Sequence, residues 1–300
     1  MSKAIYGTIV LLVATSLWGS SFVFIKLSVE EVSGFSYVFY RALISFTVLT
    51  PAIIWKALRK RVSLTSIVGG FVTGIAYLLG LLLQGIGTAY TTPSISAFIT
   101  GLNTVHVHVY AALVKRSYSA MLLLSLVLAV AGLYMVTQPV GGLGFGELLV
   151  FLGSIAWAAE IILVSKYAVK GVERLEFLYG LLVPSLFLAP YVLVVEGCIE
   201  LSTSTWFYIA YLAVVCTLLA TFLQVVGQKH VSEATAAIIY ILEPVFALLF
   251  SIAIYGESVT FIGLLGGLAM VTASAIAVAD EVLRQRKPTF IKSLEPRYSD

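Results

Sequence analysis

Ten apolar stretches follow one another along this 300-residue chain, separated only by short polar segments. An α-helix rises about 1.5 Å per residue, so about 20 apolar residues are enough to cross a hydrocarbon core of about 30 Å. The pattern therefore predicts an all-α polytopic membrane protein with ten transmembrane helices. The approximate bounds of the ten runs, numbered in chain order, are 5–27, 34–55, 64–87, 94–114, 120–138, 145–165, 175–195, 205–226, 234–254 and 260–279.

The Lys and Arg residues sort almost entirely to one side of these runs. If the N-terminus lies in the cytoplasm, sixteen of the 18 basic residues fall on the inner side and none in an outer loop. The remaining two, Lys26 and Arg41, lie within runs 1 and 2. Because basic residues in short loops set the orientation of membrane helices, we expect both termini to face the cytoplasm from the cell (plasma) membrane. Cys198 is then expected in an outer loop.

The composition excludes a soluble globule and argues against nucleic acid as a partner. With 60% hydrophobic and 11% charged residues, the chain lacks the polar surface that a soluble protein of this size needs. The net charge of +3 follows from membrane insertion and suits contact with the lipid bilayer. Loops are short, so only a basic tail, residues 281–300, is expected to lie free in the cytoplasm.

The chain also matches itself when it is shifted by 139–140 residues. Aligned pairs include Trp18 with Trp157, Gln84 with Gln224, and Leu102 with Leu242. The match predicts two five-helix repeats, 1–140 and 141–280, and because five is odd the second repeat is inverted. Inverted repeats are typical of alternating-access carriers, whose site lies near the midplane between the halves. We therefore expect Trp18 and Trp157 to face one cavity from opposing walls.

Four stretches resemble the EamA family of the drug/metabolite transporter superfamily. They are residues 18–22 with Lys26, 40–42, 94–101, and 239–245 followed by 255–257. The resemblance implies a ten-helix carrier that moves small polar or aromatic metabolites, often amino acids, outward across the cell membrane. The first repeat departs from the family pattern, since it has Asn103-Thr104 where the second has Glu243-Pro244.

Glu160 and Glu243 are the two acidic residues deep in the apolar runs. A carboxylate inside the bilayer costs a few kcal/mol or more, so it usually faces a cavity, a partner or a proton. Trp157 lies three residues before Glu160 and Tyr240 three before Glu243, so each pair shares a helix face. An aromatic ring beside a carboxylate suits an organic cation or an amino group. The alternative is a protonated carboxyl that satisfies backbone groups freed by Pro244.

Four further polar side chains lie inside the runs. The planar guanidinium of Arg41 suits a substrate carboxylate or a buried Glu, and snorkelling to the interface is the alternative. Snorkelling is the expected role of Lys26. Gln84 and Gln224 either line the cavity or link neighbouring helices.

Asn103, His106 and Tyr110 follow one another at three- and four-residue steps and form a polar stripe on run 4. We expect this stripe to line the cavity. His106 and His108 are two residues apart, so on a helix they point away from each other and do not form a metal pair. Without nearby Cys or carboxylate ligands, and without a phosphate-binding loop, the sequence predicts no metal, no cofactor and no use of ATP.

Together these features predict a secondary transporter, and by resemblance an exporter, of a small organic metabolite such as an amino acid. Alternating access is the expected mechanism, with protons as a candidate coupling ion and a monomer or homodimer as the working unit. The alternatives are an integral membrane enzyme and a lipid-moving or scaffold protein. No catalytic residue is predicted; the predicted substrate-binding residues are Trp18, Arg41, Gln84, Asn103, His106, Trp157, Glu160, Gln224, Tyr240 and Glu243.

Overall fold

The computed structural model describes residues 2–91, 93–114, 118–138, 144–197, 200–255 and 260–294, with side chains except at 93, 94, 251–255 and 286–294. Within these ranges the chain is helical apart from short connections. The α-helices are α1 (Lys3–Gly19), α2 (Ser21–Val29), α3 (Gly34–Leu58), α4 (Leu64–Ala89), α5 (Pro93–Gly101), α6 (Asn103–Leu113), α7 (Ala120–Thr137), α8 (Phe145–Val169), α9 (Arg174–Leu186), α10 (Ala189–Tyr191), α11 (Thr203–Tyr211), α12 (Ala220–Gln228), α13 (Glu233–Tyr240), α14 (Glu243–Tyr255) and α15 (Phe261–Leu294). Wider π-helical turns, Val192–Glu196 and Leu212–Leu219, continue α10 and α11.

Nine segments of the described chain are long and apolar enough to cross a membrane. They are Lys3–Val29, Gly34–Leu58, Leu64–Ala89, Ala120–Thr137, Phe145–Val169, Arg174–Glu196, Thr203–Gln228, Glu233–Phe250 and Phe261–Gln285. Many large apolar side chains on their outer faces are exposed, among them Val48, Ile54 and Val127, as contact with lipid requires. The prediction of an all-helical, multi-pass membrane protein is thereby confirmed.

The fourth apolar run, 94–114, is not one of these nine segments. It forms two short helices, α5 and α6, and the second of them carries Asn103, His106 and His108. The count of ten crossings therefore stays a prediction. Cys198, whose outer location the charge distribution predicts, lies outside the described residues.

Two helix pairs are interrupted at positions that the internal repeat aligns. A turn at Leu102 separates α5 from α6, and a turn at Ile241 and Leu242 separates α13 from α14. Carbonyls near the end of α13 accept hydrogen bonds from hydroxyls of other helices, since Thr104 Oγ1 donates to Ala237 O at 3.0 Å and Ser274 Oγ donates to Ile238 O at 3.1 Å. An interrupted helix is tolerated in a membrane when neighbouring helices satisfy its free backbone groups in this way.

Close helix packing holds the bundle around these interruptions. α4 packs between α8 and α9, α7 packs on α15, and α1 packs on α12. At the crossing of α4 and α9 a Cβ at Gly70 would lie 2.0 Å from the Phe177 carbonyl oxygen, and one at Gly180 would lie 2.1 Å from the Ile67 carbonyl oxygen. Only glycine permits the two backbones to approach so closely, and such approach is a main source of helix association in membranes.

The carboxylates of Glu196 and Glu31 link neighbouring helices at the end of the bundle where α3 begins. Glu196 accepts hydrogen bonds from Ser33 Oγ at 2.6 Å and from Ser36 Oγ at 2.5 Å, at the first turn of α3. Glu31 accepts from the backbone N–H of Ser202 at 2.5 Å and from the Thr205 hydroxyl, at the first turn of α11. These hydrogen bonds lower the pKa of the Glu31 carboxyl, with the Thr205 hydroxyl the largest cause. At the other end Lys56 pairs with the buried Glu176 at 2.6 Å.

Lys26, whose expected role is snorkelling to the membrane interface, binds the end of a neighbouring helix. Its Nζ donates to the carbonyl oxygens of Thr88 at 3.3 Å and Ala89 at 3.2 Å. These carbonyls lie in the last turn of α4, so the ammonium group caps the end of that helix.

Candidate functional site

A cavity of about 570 Å³, including its opening, lies at the level of the interrupted helices. Asn103 and Glu243, the first residues of α6 and α14, both contribute to its wall. Nine of the ten residues predicted to bind substrate line it: Trp18, Arg41, Gln84, Asn103, Trp157, Glu160, Gln224, Tyr240 and Glu243. The other lining residues are Ser21, Phe22, Ile25, Tyr77, Leu81, Thr100 and Ile161.

Arg41 supplies the positive charge of this wall. The residue is 4% exposed, its Nε donates to Thr217 Oγ1 at 2.6 Å, and its Nη1 donates to the Tyr37 hydroxyl. Tyr77 in turn donates its hydroxyl proton to Thr217 Oγ1 at 3.3 Å. None of the hydrogen bonds and ion pairs that the structure describes joins Arg41 to a carboxylate. A guanidinium has five N–H donors, so Arg41 can bind a further acceptor in the cavity.

Only one of the two carboxyl oxygens of Glu160 has a hydrogen-bond partner among the described atoms. Gln224 Nε2 donates to Glu160 Oε2 at 3.0 Å, which joins α12 to α8 across the cavity wall. Among the described atoms, Glu160 Oε1 is buried and has no hydrogen-bond partner. A buried acceptor without a partner costs about 1–3 kcal/mol, more when it is charged, unless a ligand or water supplies a donor. The Oε1 atom of this carboxyl is therefore a ready acceptor for a bound molecule.

The two repeat-aligned tryptophans differ in how their indole N–H groups are used. Trp18 Nε1 donates to the Cys216 carbonyl oxygen at 2.8 Å, whereas Trp157 Nε1 is buried and has no partner among the described atoms. Their rings make similar contacts, since Trp18 meets Tyr240 edge-on at 5.3 Å between centroids and Trp157 meets Tyr77 edge-on at 5.4 Å. Trp18 thus anchors its helix, and the N–H of Trp157 is available to a ligand.

We expect phenylalanine substitutions to separate these two roles. Trp18→Phe removes a hydrogen bond and leaves the Cys216 carbonyl without its donor, so the free energy of unfolding should fall by about 1–2 kcal/mol. Trp157→Phe removes no hydrogen bond within the protein and should leave thermal stability close to wild type while weakening ligand binding roughly 10-fold. Thermal melting and ligand titration of both variants provide the measurements. Equal losses of stability would contradict the assignment.

Glu243 stands at the start of α14, and the repeat-aligned residue, Asn103, stands at the start of α6. The side chain of Glu243 takes part in none of the described hydrogen bonds and ion pairs, although it lines the cavity. The N-terminus of a helix carries a partial positive charge that favours a negative group beside it. The two helix starts therefore present a carboxyl on one side of the cavity and an amide on the other.

His106 packs against α8 and is not among the residues that line the central cavity, where the predicted stripe would place it. Its Nε2 lies 3.2 Å from Ser154 Oγ on α8, and its ring meets that of Phe151 edge-on at 5.6 Å. Three residues along a helix turn by about 300°, so His106 is rotated about 60° from Asn103. That rotation brings the ring against α8. Tyr110, one turn further, lines a different cavity near Lys3.

His108 has a structural role. Its Nε2 donates to the Ala234 carbonyl oxygen at 3.2 Å, so its Nδ1 is the acceptor for the Tyr118 hydroxyl. The ring thereby links α6 to the starts of α7 and α13. Across the described part of the chain, no group of three or more His, Cys, Asp or Glu residues could hold a metal ion.

The hydroxyl groups that accept hydrogen bonds from Arg41 and Gln84 were not predicted from the sequence. Tyr37 lies four residues before Arg41, a spacing that puts both on one helix face, so this partner could have been found. Tyr77 and Thr217 lie 140 residues apart, at the offset of the repeat, yet they touch each other. Thr100, which accepts from Gln84 Nε2 at 3.2 Å, carries no such signal.

Known proteins share both the sequence pattern and the fold. A model of the EamA-like transporter family matches residues 5–138 and 144–279. Three proteins of Archaeoglobus fulgidus, each named an uncharacterized transporter, are 26%, 24% and 27% identical over 280, 277 and 276 residues. The matched regions cover 91%, 88% and 90% of this chain and 86%, 94% and 95% of the relatives.

A protein of known crystal structure has the same fold. The two structures superpose with a TM-score of 0.73 over 92% of this chain and 97% of the other, at 16% sequence identity. The family resemblance seen in the sequence is confirmed, since the family match extends over nearly the whole chain. This chain belongs to the EamA-like transporter family and is a multi-pass membrane transporter.

Proposed function

We propose that this transporter is a secondary carrier that exports a small metabolite bearing both a carboxylate and an amino group, such as an amino acid. The observation that carries the proposal is the charge arrangement of the central cavity. Arg41 is bound there only by hydroxyls among its described partners, Glu160 Oε1 is buried without a described partner, and the Glu243 carboxyl takes part in none of the described hydrogen bonds. A lipid-moving or scaffold protein would have no use for this arrangement.

The chemistry of each group supports a zwitterionic substrate. The fork of a guanidinium binds a carboxylate through two parallel hydrogen bonds, and this is the natural ligand for Arg41. A substrate ammonium group would donate to Glu160 Oε1 or to Glu243, with Trp18 and Tyr240 presenting aromatic rings nearby.

Three observations support alternating access by two inverted repeats, residues 1–140 and 141–280. The family model matches once in each repeat. The helix interruptions at Leu102 and Leu242 are 140 residues apart, and Tyr77 touches Thr217, its repeat-aligned residue. Contact between equivalent residues is expected where a pseudo-two-fold axis passes, and interrupted helices are common at the binding sites of inverted-repeat carriers.

The same proposal includes the orientation of the chain in the membrane, the direction of transport and the coupling ion. The distribution of Lys and Arg supports cytoplasmic termini and a basic cytoplasmic tail, residues 281–300, in the cell membrane. The family resemblance supports export. Glu243, with no described partner for its side chain, is the candidate for proton coupling, and a single chain with both repeats can work as a monomer or as a homodimer.

A thermal-shift screen of the purified protein tests the substrate class. The compounds are amino acids, organic cations, nucleosides and sugar phosphates, and each amino acid is accompanied by its analogues lacking the amino or the carboxyl group. We expect amino acids to raise the melting temperature, because a ligand at 100 times its Kd stabilises the folded state by about 2.7 kcal/mol. Both truncated analogues should have much smaller effects. Protection by nucleosides or sugar phosphates alone would overturn the proposed substrate class.

A further inference from the structure

A second cavity lies at the end of the bundle where α1 begins. Its volume is about 1,180 Å³ including its opening, and it is separate from the central cavity, with which it shares no lining residue. Its walls come from α1, α6, α8, α15 and the connection between α12 and α13. Its basic residues are Lys3, Lys166, Lys170, Lys229 and His230, and we call this cavity the lysine basin.

The lysines of the basin are not neutralised within the described protein. Lys3, Lys166, Lys170 and Lys229 are all exposed, and none of them occurs in the ion pairs that the structure describes. The two carboxylates in the wall are Glu233 and Glu281. The basin therefore contains more positive than negative charge.

The carboxylate of Glu281 is already occupied by neutral donors. Its Oε2 accepts from the Ser232 backbone N–H and from Thr235 Oγ1, each at 3.0 Å, and its Oε1 accepts from Gln285 Nε2 at 3.2 Å. The first two bonds cap the N-terminus of α13. This carboxylate is thus committed to holding the helix start, which leaves the lysines available to another anion.

The His230 ring adds a hydrogen-bonding group to the wall of the basin. Partial burial lowers the pKa of its ring, and the positive charges of Lys229, Lys3 and Arg174 lower it further. The ring is held in place because it meets the Tyr6 ring edge-on at 5.4 Å, and the His230 carbonyl accepts from Gln285 Nε2 at 2.9 Å. A neutral imidazole can donate an N–H to an anion beside it.

The basin differs from basic residues that only set the orientation of membrane helices, because its basic residues line a concave space. Lys60 and Arg61 are also exposed and also lie near a helix end, but they belong to a loop and line none of the described cavities. In the basin, charges from separate helices converge on one space with apolar walls, which concentrates their field. We infer that the lysine basin is an anion-binding site, distinct from the central cavity, for a phosphate or carboxylate group of a soluble anion or a lipid headgroup.

Inorganic phosphate is the probe for the first test. The melting temperature of the purified protein is followed as chloride is replaced by phosphate at constant ionic strength, and we expect it to rise. In the double variant Lys166→Gln/Lys229→Gln the apparent Kd for phosphate should increase at least about 10-fold, because two charge-assisted hydrogen bonds are lost. The single variant Lys170→Gln gives a second reading if the double variant folds poorly, and Arg61→Gln is the control.

Nanodiscs distinguish the two sources of the anion. If a lipid headgroup fills the basin, phosphatidylglycerol should stabilise wild type relative to pure phosphatidylcholine and abolish the response to phosphate, and the double variant should lose this stabilisation. If the ligand is a soluble anion, the phosphate response should persist in both lipids. Two results would overturn the inference. One is an equal phosphate response in the double variant and in Arg61→Gln, and the other is a wild-type protein that responds to neither phosphate nor phosphatidylglycerol. Arg41→Gln should retain the phosphate response, so failure of the central-cavity proposal is recognised separately.

Discussion

Arg41→Gln should weaken amino-acid binding by the purified protein roughly 100-fold, with a matching loss of transport in proteoliposomes. Removing one partner of a buried, hydrogen-bonded charge pair costs about 2–5 kcal/mol, and 1.4 kcal/mol corresponds to a factor of ten. The effect should be large because no other basic residue lines the central cavity among the described residues. A substrate carboxylate would then enter a site with two carboxyl groups and no compensating charge.

Two conservative variants separate charge from geometry at this position. Arg41→Lys keeps the positive charge but loses the planar fork, and we expect it to recover only part of the binding. Tyr37→Phe removes the hydroxyl that accepts from Arg41 Nη1 and should have a smaller effect, since Thr217 still accepts from Nε. Arg59→Gln is the matched control, because Arg59 is exposed and stacks on Trp55 away from the cavity.

Binding is measured by titration calorimetry and transport by uptake of a labelled amino acid. Melting curves without ligand show whether each variant is folded. Wild-type affinity in Arg41→Gln would remove Arg41 from the site and, with it, the argument for a carboxylate-bearing substrate. A loss of affinity for the amine analogue as large as that for the amino acid would point to a structural role instead.

Many residues that line the central cavity could be predicted from the sequence because polar side chains are costly inside an apolar run. Arg41, Glu160 and Glu243 stand out for that reason alone, and the internal repeat pairs Trp18 with Trp157. The placement of these residues around one space follows from helix packing, which a single sequence does not specify. The identities of the wall residues could therefore be predicted, whereas their contacts could not.

The hydroxyl partners were harder to predict because threonine and serine are common in membrane helices and often bond to their own backbone. Thr15, for example, donates to the Leu11 carbonyl oxygen at 2.7 Å within α1. Nothing in the sequence near Thr217 distinguishes it from such a residue, although it accepts a hydrogen bond from Arg41. Its role depends on contact between α3 and the π-helical turn after α11.

The two helix interruptions differ in how clearly the sequence signals them. Pro244 signals the turn between α13 and α14, because proline cannot supply a backbone donor. No proline marks Leu102, where the turn between α5 and α6 adjoins Thr104, which bonds to α13. Asn103, His106 and Tyr110 all follow this turn on the continuous helix α6, so their separation comes from how the faces of α6 pack against other helices and not from the interruption. The structure divides them among the central cavity, α8 and the lysine basin.

Glu243→Gln should abolish the dependence of transport on a pH gradient while leaving the protein folded. The substitution preserves size and hydrogen-bonding capacity but removes the titrating group. We expect Glu243 to be the coupling residue because its side chain has no described partner and lies at the interrupted part of a membrane helix. A carboxylate in that position needs a counter-charge or a proton, and exchange of the proton for a substrate ammonium group would link the two fluxes.

Glu160→Gln is the matched comparison, since Glu160 lies in the same wall but already accepts from Gln224. We expect Glu160→Gln to weaken binding and to keep the pH dependence, and Glu243→Ala to lose stability as well as coupling. Uptake into proteoliposomes, measured with and without an imposed pH gradient, distinguishes these outcomes. If Glu243→Gln transports with the full pH dependence of wild type, Glu243 is not the coupling group. Glu160, the second carboxyl in the cavity, would then have to carry the proton, and Glu160→Gln would become the variant that uncouples transport.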